Sequence, residues 1–346
     1  MGSTMKCPVC GDDCVLDAHQ IIERIPDVFS RCRDCRMKIL DKQQPPPPDA
    51  WHEPCTCGRR FIDEVFAHLY TLLVREGLFT GTEALKEVGS PLLHPGYHMT
   101  KPPFLPAQSL VLLSRVADRA VAEKMVQEIP EVRGVVRMGD FTPGIVDTDP
   151  ATPPRTYELL AGCDVRANIF HTTAGQVVVY KQQSLIHIEF PRGHNPKITT
   201  VEQRIDRVKP GWFVDACCGA GTLGLTGARH GIPHVILNDA WYAAAFWAAY
   251  NTRVNREFFR VDEVKIHASY QAMAEHPVGG APVLIAETEG EQEIRVYQGD
   301  FRQLHQVIPD VLVLAVIDLF DKSDPAATSA VLKEWMGKVN GEAFIP

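Results

Sequence analysis

A short segment rich in small residues follows a buried apolar run, and it reads Asp215-Ala-Cys-Cys-Gly-Ala-Gly-Thr-Leu-Gly224. Gly219 and Gly221 allow the backbone to approach a ligand closely, because they lack a side chain. A tight turn between a strand and a helix is the alternative, so the residues that follow must decide. Cys217 and Cys218 suit this segment as small filler beside a ligand better than as nucleophiles.

Carboxylates follow this segment at positions that suit a nucleotide-like cofactor. Asp239 ends the next strand, where it can accept hydrogen bonds from both hydroxyls of a ribose; a helix cap is the alternative. Asp300 and Phe301 come after the predicted strand from Glu293 to Tyr297, which places a carboxylate beside a nucleobase. Together these features predict a cofactor site made of Asp215, Cys217, Gly219, Gly221, Asp239, Asp300 and Phe301.

Seven of the ten cysteines lie before residue 58, in close pairs. Cys7-Pro-Val-Cys10 and Cys32-Arg-Asp-Cys35 are two C-x-x-C pairs, separated by roughly twenty residues as in zinc sites of four thiolates. This pattern is typical of a metal site in a reducing compartment rather than of disulfides. We therefore expect the two pairs to surround one Zn²⁺.

Cys14, Cys55 and Cys57 remain outside those two pairs. With His52 they complete a second four-ligand site, or one of them replaces a member of the first site. An iron–sulfur cluster is the competing interpretation, although the glycines that follow Cys10 and Cys57 suit a zinc site better.

Composition excludes several classes of protein. The hydrophobic fraction of 45% predicts a folded core, and no apolar run approaches the roughly 20 residues that span a bilayer. The first residues lack the apolar stretch of a secretory signal, so we expect a cytoplasmic protein without membrane partners. The formal net charge of -8 gives no global attraction to nucleic acid, although the middle of the chain is slightly basic.

Periodicity predicts the elements that position these residues. A helix with one apolar face runs from Phe61 to Glu76, and Gly77 ends it. A strand, helix and strand are expected at Ser109 to Ser114, Asp118 to Ile129 and Val132 to Met138. Three antiparallel strands are expected at Asp164 to His171, Gln176 to Lys181 and Ser184 to Phe190. Strands and helices then alternate at Trp212 to Ala216, Thr222 to His230, His234 to Leu237 and Trp241 to Phe259.

These elements predict an α/β protein with four parts. Residues 1–60 form a Cys-rich zinc module, and residues 61–105 form a linking helix and loop. Residues 106–208 form a small α+β domain on the substrate side. Residues 209–346 form a Rossmann-like domain that binds the cofactor.

Several stretches give the chain a family resemblance: Arg155-Thr-Tyr-Glu-Leu-Leu-Ala-Gly162, Phe190-Pro-Arg192, Glu202-Gln-Arg-Ile205, the glycine-rich segment and Asn251-Thr-Arg-Val-Asn255. From about Leu110 onward it resembles the class I S-adenosylmethionine-dependent methyltransferases, in particular the archaeal tRNA guanosine N1-methyltransferases and their wybutosine-pathway relatives. The resemblance implies S-adenosylmethionine as cofactor, an acidic general base and an arginine that stabilises developing negative charge. Glu202 matches the base, and Arg155 and Arg192 match the arginine.

The chain departs from this family after its fourth strand, Val311 to Val316. An Asn-Leu-Pro turn is usual there, whereas this chain has Asp318-Leu-Phe-Asp-Lys-Ser-Asp324. Asp318 with Phe320 partly imitates the acidic and aromatic residues of amino-methylating enzymes, so Asp318 is a fourth catalytic candidate. The acceptor is therefore a tRNA guanosine or, in a changed site, a protein side chain or small metabolite.

Two further possibilities stay open at this point. Aminocarboxypropyl transfer from the same cofactor needs the same binding motifs, and a non-catalytic binding protein would have lost them. The fifth strand, from Glu342 to Ile345, leaves no residues for the usual final antiparallel pair. Because open sheet edges promote association, we expect this edge to be covered by the cysteine module or by another subunit of a homo-oligomer.

Overall fold

One helix separates the two groups of cysteines near the amino terminus. The structure, a computed structural model, describes residues 5–145 and 152–346. The helix is α1 (Ala18–Val28), and a short strand, β1 (Arg60–Phe61), leads from the second group into α2 (Ile62–Arg75). The predicted helix from Phe61 to Glu76 is confirmed, and Gly77 follows its end with a φ of 77°.

A four-stranded sheet packs beside α2. Its strands, in order across the sheet, are β2 (Ser90–Leu93), β4 (Leu110–Ser114), β5 (Val132–Arg137) and β6 (Glu158–Gly162), while β3 (Phe104–Leu105) pairs with β1. Strands β4 and β5 are parallel and are joined by α3 (Arg119–Glu128), which confirms the predicted strand–helix–strand order. A buried ion pair between Arg60 of β1 and Glu131, which directly precedes β5, ties the start of α2 to this sheet; each side chain is only 1% exposed.

A two-stranded hairpin follows, formed by β7 (Val165–Thr172) and β8 (Gly175–Gln182). The third predicted strand, from Ser184 to Phe190, is wrong. Asp164 accepts a hydrogen bond from the backbone nitrogen of Ser184 at 2.7 Å, and the nitrogen of Ile186 donates to the carbonyl of Gln182 at 3.1 Å. These bonds turn the chain directly after β8, so the apolar residues of this stretch do not continue the sheet.

The rest of the chain forms a seven-stranded sheet with helices on both faces. Its elements are α4 (Pro196–Val208), β9 (Trp212–Asp215), α5 (Thr222–Arg229), β10 (His234–Asp239), α6 (Tyr242–Val254), β11 (Val261–Ile266), α7 (Tyr270–Ala274), β12 (Val283–Gly290), β13 (Glu293–Gln298), β14 (Val313–Val316), α8 (Pro325–Met336) and β15 (Gly341–Phe344). The order is β11-β12-β13-β10-β9-β14-β15. All pairs from β13 to β15 are parallel, and the pairs β11–β12 and β12–β13 are antiparallel.

Alternating apolar residues bury both faces of this sheet. Phe213 and Val235 belong to the core on one face, and their neighbours Val214 and Ile236 belong to the core on the other. The chain proceeds from β9 through β10 to β13 in one direction and then returns to β14 and β15 on the other side of β9. This reversal creates a switch point at the carboxyl ends of β9 and β14, where open α/β sheets bind ligands.

Among the strands that the structure describes, the edge strand β15 pairs only with β14. The two antiparallel strands β11 and β12 extend the opposite edge, beyond β13. The contacts of the cysteine module are instead with residues such as Tyr180 and Arg256, so the expectation that it covers β15 is wrong. Cover by another subunit stays a prediction. No helix among the described residues is long and apolar enough to cross a membrane.

Candidate functional site

A cavity of about 620 Å³ opens at the switch point of the sheet. Sites for small molecules and cofactors typically measure about 300–1,000 Å³. The loop after β9, the ends of β10, β13 and β14, and residues between 181 and 197 form its walls. Of the predicted cofactor-binding residues, all except Gly221 line this cavity: Asp215, Cys217, Gly219, Asp239, Asp300 and Phe301. The structure thus brings the predicted set together.

Asp215 lies at the bottom of the cavity, at the end of β9. Its Oδ2 accepts a hydrogen bond from the nitrogen of Gly224 at 2.7 Å, whereas its buried Oδ1 has no partner among the described residues. Burial raises the pKa of Asp215 well above its usual range, and the charge of Asp318 adds to the effect. A buried, unpaired carboxylate oxygen is costly, so this position suits a ligand that brings a donor or a positive charge.

The glycines of the loop have distinct roles. Gly219 and Gly221 have φ values of 53° and 98°, which favour residues without a side chain. A Cβ atom on Gly224 would lie only 2.5 Å from the side chain of Leu237. The sharp turn therefore depends on Gly219 and Gly221, and the packing of α5 on β10 depends on Gly224.

Asp239 joins this loop to the beginning of α6. Its Oδ2 accepts a hydrogen bond from the nitrogen of Gly219 at 2.8 Å, and its Oδ1 accepts one from the nitrogen of Trp241 at 2.9 Å. Burial raises the pKa of Asp239 to about 6. Each oxygen retains a second lone pair, so the carboxylate can hold the loop and still accept hydrogen bonds from a ligand.

Asn238, which the sequence reasoning did not single out, joins two loops of the site. Its buried side-chain amide donates to the carbonyl oxygen of Ala216 at 3.0 Å and to that of Gly299 at 2.9 Å. Asp300 then accepts a hydrogen bond from the nitrogen of Arg302 at 3.0 Å and pairs with its guanidinium. Asn238 thereby fixes the distance between the loop after β9 and the loop that carries Asp300.

Asp318 lies on the opposite wall, after β14. Its carboxylate accepts hydrogen bonds from Lys197 and from Lys322, each at 2.7 Å. Phe320, whose side chain is exposed, meets the ring of His187 edge to face at 6.2 Å between centroids. Asp318 is the one predicted catalytic residue that lines the cavity, and it is already paired with two cations.

Three residues that line the same wall were missed by the sequence reasoning: Lys181, His187 and Glu189. Lys181 and Glu189 form an ion pair whose lysine side chain is only 5% exposed. Burial would raise the pKa of Glu189, but the Lys181 ammonium outweighs it and keeps this pKa below its usual range. Burial and Lys181 together lower the pKa of His187, so its imidazole is neutral near pH 7.

The other three predicted catalytic residues do not line the cavity. Glu202 accepts a hydrogen bond from the nitrogen of Thr173 at 2.6 Å and lies 3.2 Å from Nε2 of His230. Arg155 lies 3.9 Å above the ring of Phe141. Arg192 is exposed. The spacing that matched them to a family pattern does not carry them to the carboxyl ends of the strands.

Cys217 and Cys218 are unsuited to act as nucleophiles. Burial raises the pKa of both thiols well above the usual range, and the charges of Asp239 and Asp215 add to the effect. A nucleophilic cysteine needs its thiolate form, which a lowered pKa provides. The structure therefore favours the interpretation of both residues as small filler.

Two groups of four cysteines could each hold a metal ion. One consists of Cys32, Cys35, Cys55 and Cys57, and the other of Cys7, Cys10, Cys14 and Cys163. The predicted site formed by Cys7, Cys10, Cys32 and Cys35 is therefore wrong. Helix α1 lies between the two pairs, and its eleven residues span about 16 Å, which keeps the pairs apart.

The first of these groups lies entirely within the amino-terminal module. Its sulfur–sulfur distances are 3.6 Å between Cys32 and Cys35, 3.5 Å between Cys32 and Cys55, and 3.4 Å between Cys35 and Cys57. These approach the edge of about 3.8 Å that a tetrahedron with zinc–sulfur bonds of about 2.3 Å requires. His52 is not a member, and its carbonyl oxygen accepts a hydrogen bond from Arg60.

Comparisons with known proteins give weak likenesses to solved structures, of which two are described here. No family model and no curated protein matches the sequence. The solved structure of Trm1 from Pyrococcus horikoshii with S-adenosyl-L-methionine matches with a TM-score of 0.31 and 16% identity, over 47% of this chain and 38% of that chain. The structure of TYW2 from P. horikoshii in complex with MeSAdo matches with a TM-score of 0.39 and 16% identity, over 81% of this chain and 78% of that chain.

This chain thus spans well under half of the Trm1 structure. With 16% identity and TM-scores below 0.5, neither likeness determines the activity of this chain. The order and direction of its own strands make it an α/β protein with a Rossmann-like sheet. It also carries two clusters of four cysteines.

Proposed function

We propose that this chain is an S-adenosylmethionine-dependent methyltransferase whose acceptor is a guanosine of tRNA. The observation that carries the proposal is the set of carboxylates around one cavity at the switch point of the sheet: Asp215, Asp239 and Asp300. Such a set suits a ligand with a positive charge and many hydrogen-bond donors. S-adenosylmethionine has both, and when bound it supplies an electrophilic methyl group on a sulfonium ion.

The proposed orientation of the cofactor follows from the chemistry of each carboxylate. Asp215 has an unpaired buried oxygen that suits the amino group of the methionine part. Asp239 would accept hydrogen bonds from the ribose hydroxyls. Asp300 would accept one from the adenine amine, with Phe301 beside the ring. Gly219 lets the backbone of the loop approach this ligand.

On the acceptor side, Lys181 and Glu189 would recognise the Watson–Crick edge of guanine. That edge presents an acceptor, O6, beside two donors, N1–H and the N2 amino group, so an ammonium and a carboxylate side by side complement it. Glu189 is ionised at neutral pH because Lys181 outweighs the effect of burial on its pKa. Its carbonyl oxygen is fixed by the buried Arg166, which donates at 2.6 Å.

His187 is the proposed acceptor of the proton that leaves the guanine nitrogen. A neutral imidazole can accept a proton, and the lowered pKa of His187 keeps it neutral near pH 7. Bound S-adenosylmethionine would supply the methyl group to this nitrogen, and His187 would hold the proton that the nitrogen gives up. Phe320, exposed beside His187, offers a surface for stacking of the base.

Basic side chains at the cavity, two of them paired with carboxylates, support a nucleic-acid acceptor despite the net charge of -8. Lys197 and Arg302 line the cavity, and the exposed Arg192 lies nearby in sequence. Phosphate contacts by such residues supply much of the affinity for nucleic acid. A tRNA acceptor would place the enzyme in the cytoplasm.

The acidity of the chain favours a second candidate acceptor, a protein side chain or a small metabolite. Transfer of the aminocarboxypropyl group is the second candidate reaction, because it uses the same cofactor site with another electrophilic carbon. We further propose that the cluster formed by Cys32, Cys35, Cys55 and Cys57 binds zinc. All four ligands lie in the amino-terminal module, so a bound metal would stabilise the fold of that module alone.

The test uses S-adenosylmethionine labelled on the methyl carbon and, in parallel, on the carboxyl carbon. The protein is incubated with total RNA, total protein and small-molecule fractions of a cell extract. Methyl label that nuclease releases from the RNA fraction supports the proposal. Mapping of that label to guanosine identifies the acceptor. Label that only protease releases, label in the small-molecule fraction, or transfer of carboxyl label would overturn the acceptor or the reaction. A Glu189→Gln variant, with Glu334→Gln on the exposed face of α8 as control, tests the acceptor wall.

A further inference from the structure

The second cysteine cluster draws its ligands from two distant parts of the chain. Cys7, Cys10 and Cys14 belong to the amino-terminal segment, whereas Cys163 lies in the turn between β6 and β7. Sγ of Cys7 lies 3.9 Å from Sγ of Cys163, and Sγ of Cys10 lies 3.5 Å from Sγ of Cys14. A disulfide needs about 2.05 Å, whereas tetrahedral zinc places its sulfurs about 3.8 Å apart.

A buried arginine next to this cluster indicates that its sulfurs carry negative charge. Arg133 is only 6% exposed, its Nε has no hydrogen-bond partner, and no carboxylate among the described residues pairs with it. Its Nη2 lies 4.0 Å from Sγ of Cys163, and the carbonyl oxygen of Arg133 accepts a hydrogen bond from the nitrogen of Cys163 at 2.9 Å. A buried guanidinium needs a counter-charge, and four thiolates around Zn²⁺ carry a net charge of about -2 that would supply it.

We propose that Cys7, Cys10, Cys14 and Cys163 bind a zinc ion that clasps the amino-terminal segment onto the β7–β8 hairpin, and that this clasp supports the cofactor loop. Beside the cluster, the nitrogen of Leu16 donates to Oη of Tyr180 on β8 at 3.0 Å. The segment also contacts α6, because Tyr250 donates to the carbonyl oxygen of Lys6 at 2.5 Å. The clasp therefore joins the hairpin and α6 at one point.

From that point, a continuous set of hydrogen bonds leads to the loop after β9, residues 216–221, which is the proposed cofactor loop. The backbone nitrogen of Tyr180 donates to Oδ1 of Asn251 at 2.8 Å, and Nδ2 of Asn251 donates to the carbonyl oxygen of Tyr180 at 2.8 Å. The same Nδ2 donates to the carbonyl oxygen of Ala220 at 2.9 Å. Ala220 lies between Gly219 and Gly221. If loss of the metal released the hairpin, Asn251 would lose its hydrogen bonds to Tyr180. Asn251 would then no longer be held in position to support this loop.

The experiment compares Cys163→Ser with Cys57→Ser, which removes one ligand from the other cluster. Zinc is counted in the purified full chain by elemental analysis, and the affinity for S-adenosylmethionine is measured by calorimetry. We expect two zinc ions in the unaltered chain and one in each variant. The affinity should fall at least tenfold in Cys163→Ser and stay within about twofold in Cys57→Ser, since only the cluster that contains Cys163 is connected through Tyr180 to Asn251.

A Cys163→His variant guards against simple misfolding, because histidine is also a zinc ligand; we expect it to recover the second zinc ion and most of the affinity. Two zinc ions in Cys163→Ser, or iron in place of zinc, would overturn the metal site. Equal cofactor affinity in Cys163→Ser and Cys57→Ser would overturn the support of the loop. The coupling rests on the proposed cofactor, whereas the zinc count does not: if the unaltered chain holds two zinc ions but does not bind S-adenosylmethionine, the proposed function fails and the metal site stands.

Discussion

The carboxylate of Asp239 accepts a hydrogen bond from the backbone nitrogen of Gly219 at 2.8 Å, which ties the end of one strand to the turn after its neighbour. The same carboxylate lines the cavity. We expect Asp239→Ala to weaken S-adenosylmethionine binding at least tenfold, about 1.4 kcal/mol, because both the loop and the ribose lose their acceptor. Calorimetry checks this, with Asp262→Asn on the exposed side of β11 as control. Equal affinity in the two variants would refute the ribose assignment.

The raised pKa of Asp239 predicts a pH dependence of cofactor binding. Burial raises this pKa to about 6, so the carboxyl group of the free protein is largely protonated below that pH. Hydroxyl donors favour the ionised form, so affinity should fall about tenfold per pH unit as the pH drops below about 6. Asp215 also titrates, so the informative quantity is the difference between the unaltered chain and Asp239→Asn. Parallel profiles for these two proteins would contradict the prediction.

A substitution at Gly224 tests the packing of α5 behind the loop after β9. A Cβ atom there would lie 2.5 Å from Cδ2 of the buried Leu237 and 3.2 Å from Cβ of Asp215. We expect Gly224→Ala to lower the free energy of unfolding by about 1–3 kcal/mol through overpacking. Gly211→Ala, with no atom within 4 Å of the added carbon, should change it by less than about 0.5 kcal/mol. Urea unfolding followed by tryptophan fluorescence measures both, and equal values would show that the site relaxes freely.

The ion pair of Lys181 and Glu189 predicts a strongly non-additive response. Lys181→Met leaves the carboxylate without its partner, and because the Glu189 side chain is 26% exposed we expect a moderate loss of about 1–3 kcal/mol. Adding Glu189→Gln removes the uncompensated charge, so the double variant should be more stable than Lys181→Met alone. A double-mutant cycle in urea measures the coupling. Additive losses would show that solvent screens the pair.

The residues of the proposed cofactor half of the site could be grouped from the sequence because they are local in sequence. Asp215, Gly219 and Gly221 lie within one strand–turn–helix unit, and Asp239 ends the next strand, so period and glycine spacing were sufficient. The acceptor half was not predictable in the same way. Lys181 and Glu189 lie on either side of a turn that was expected to join two strands, and the side chain of Asp164 determines that turn.

Three of the positions matched to the family lie away from the cavity for a related reason. Glu202 was placed by spacing alone, but one side of α4 faces Thr173 and His230, and that packing takes its carboxylate away from the cavity. All seven predicted metal ligands belong to the two clusters, but their grouping was wrong and Cys163 was missed, because Cys163 lies 156 residues after Cys7. No local spacing pattern can include such a ligand. The spacing of the cysteines also did not predict helix α1, which separates the two C-x-x-C pairs.

Because Cys163 lies far along the chain, its cluster can be completed only after the other cluster during synthesis. Cys32, Cys35, Cys55 and Cys57 leave the ribosome together, so their cluster can close while most of the chain is still being made. In the proposed clasp, Cys7, Cys10 and Cys14 emerge first and lack their fourth ligand until the turn after β6 has followed. A chain interrupted before residue 163 would therefore carry only three of the four cysteines of the proposed clasp.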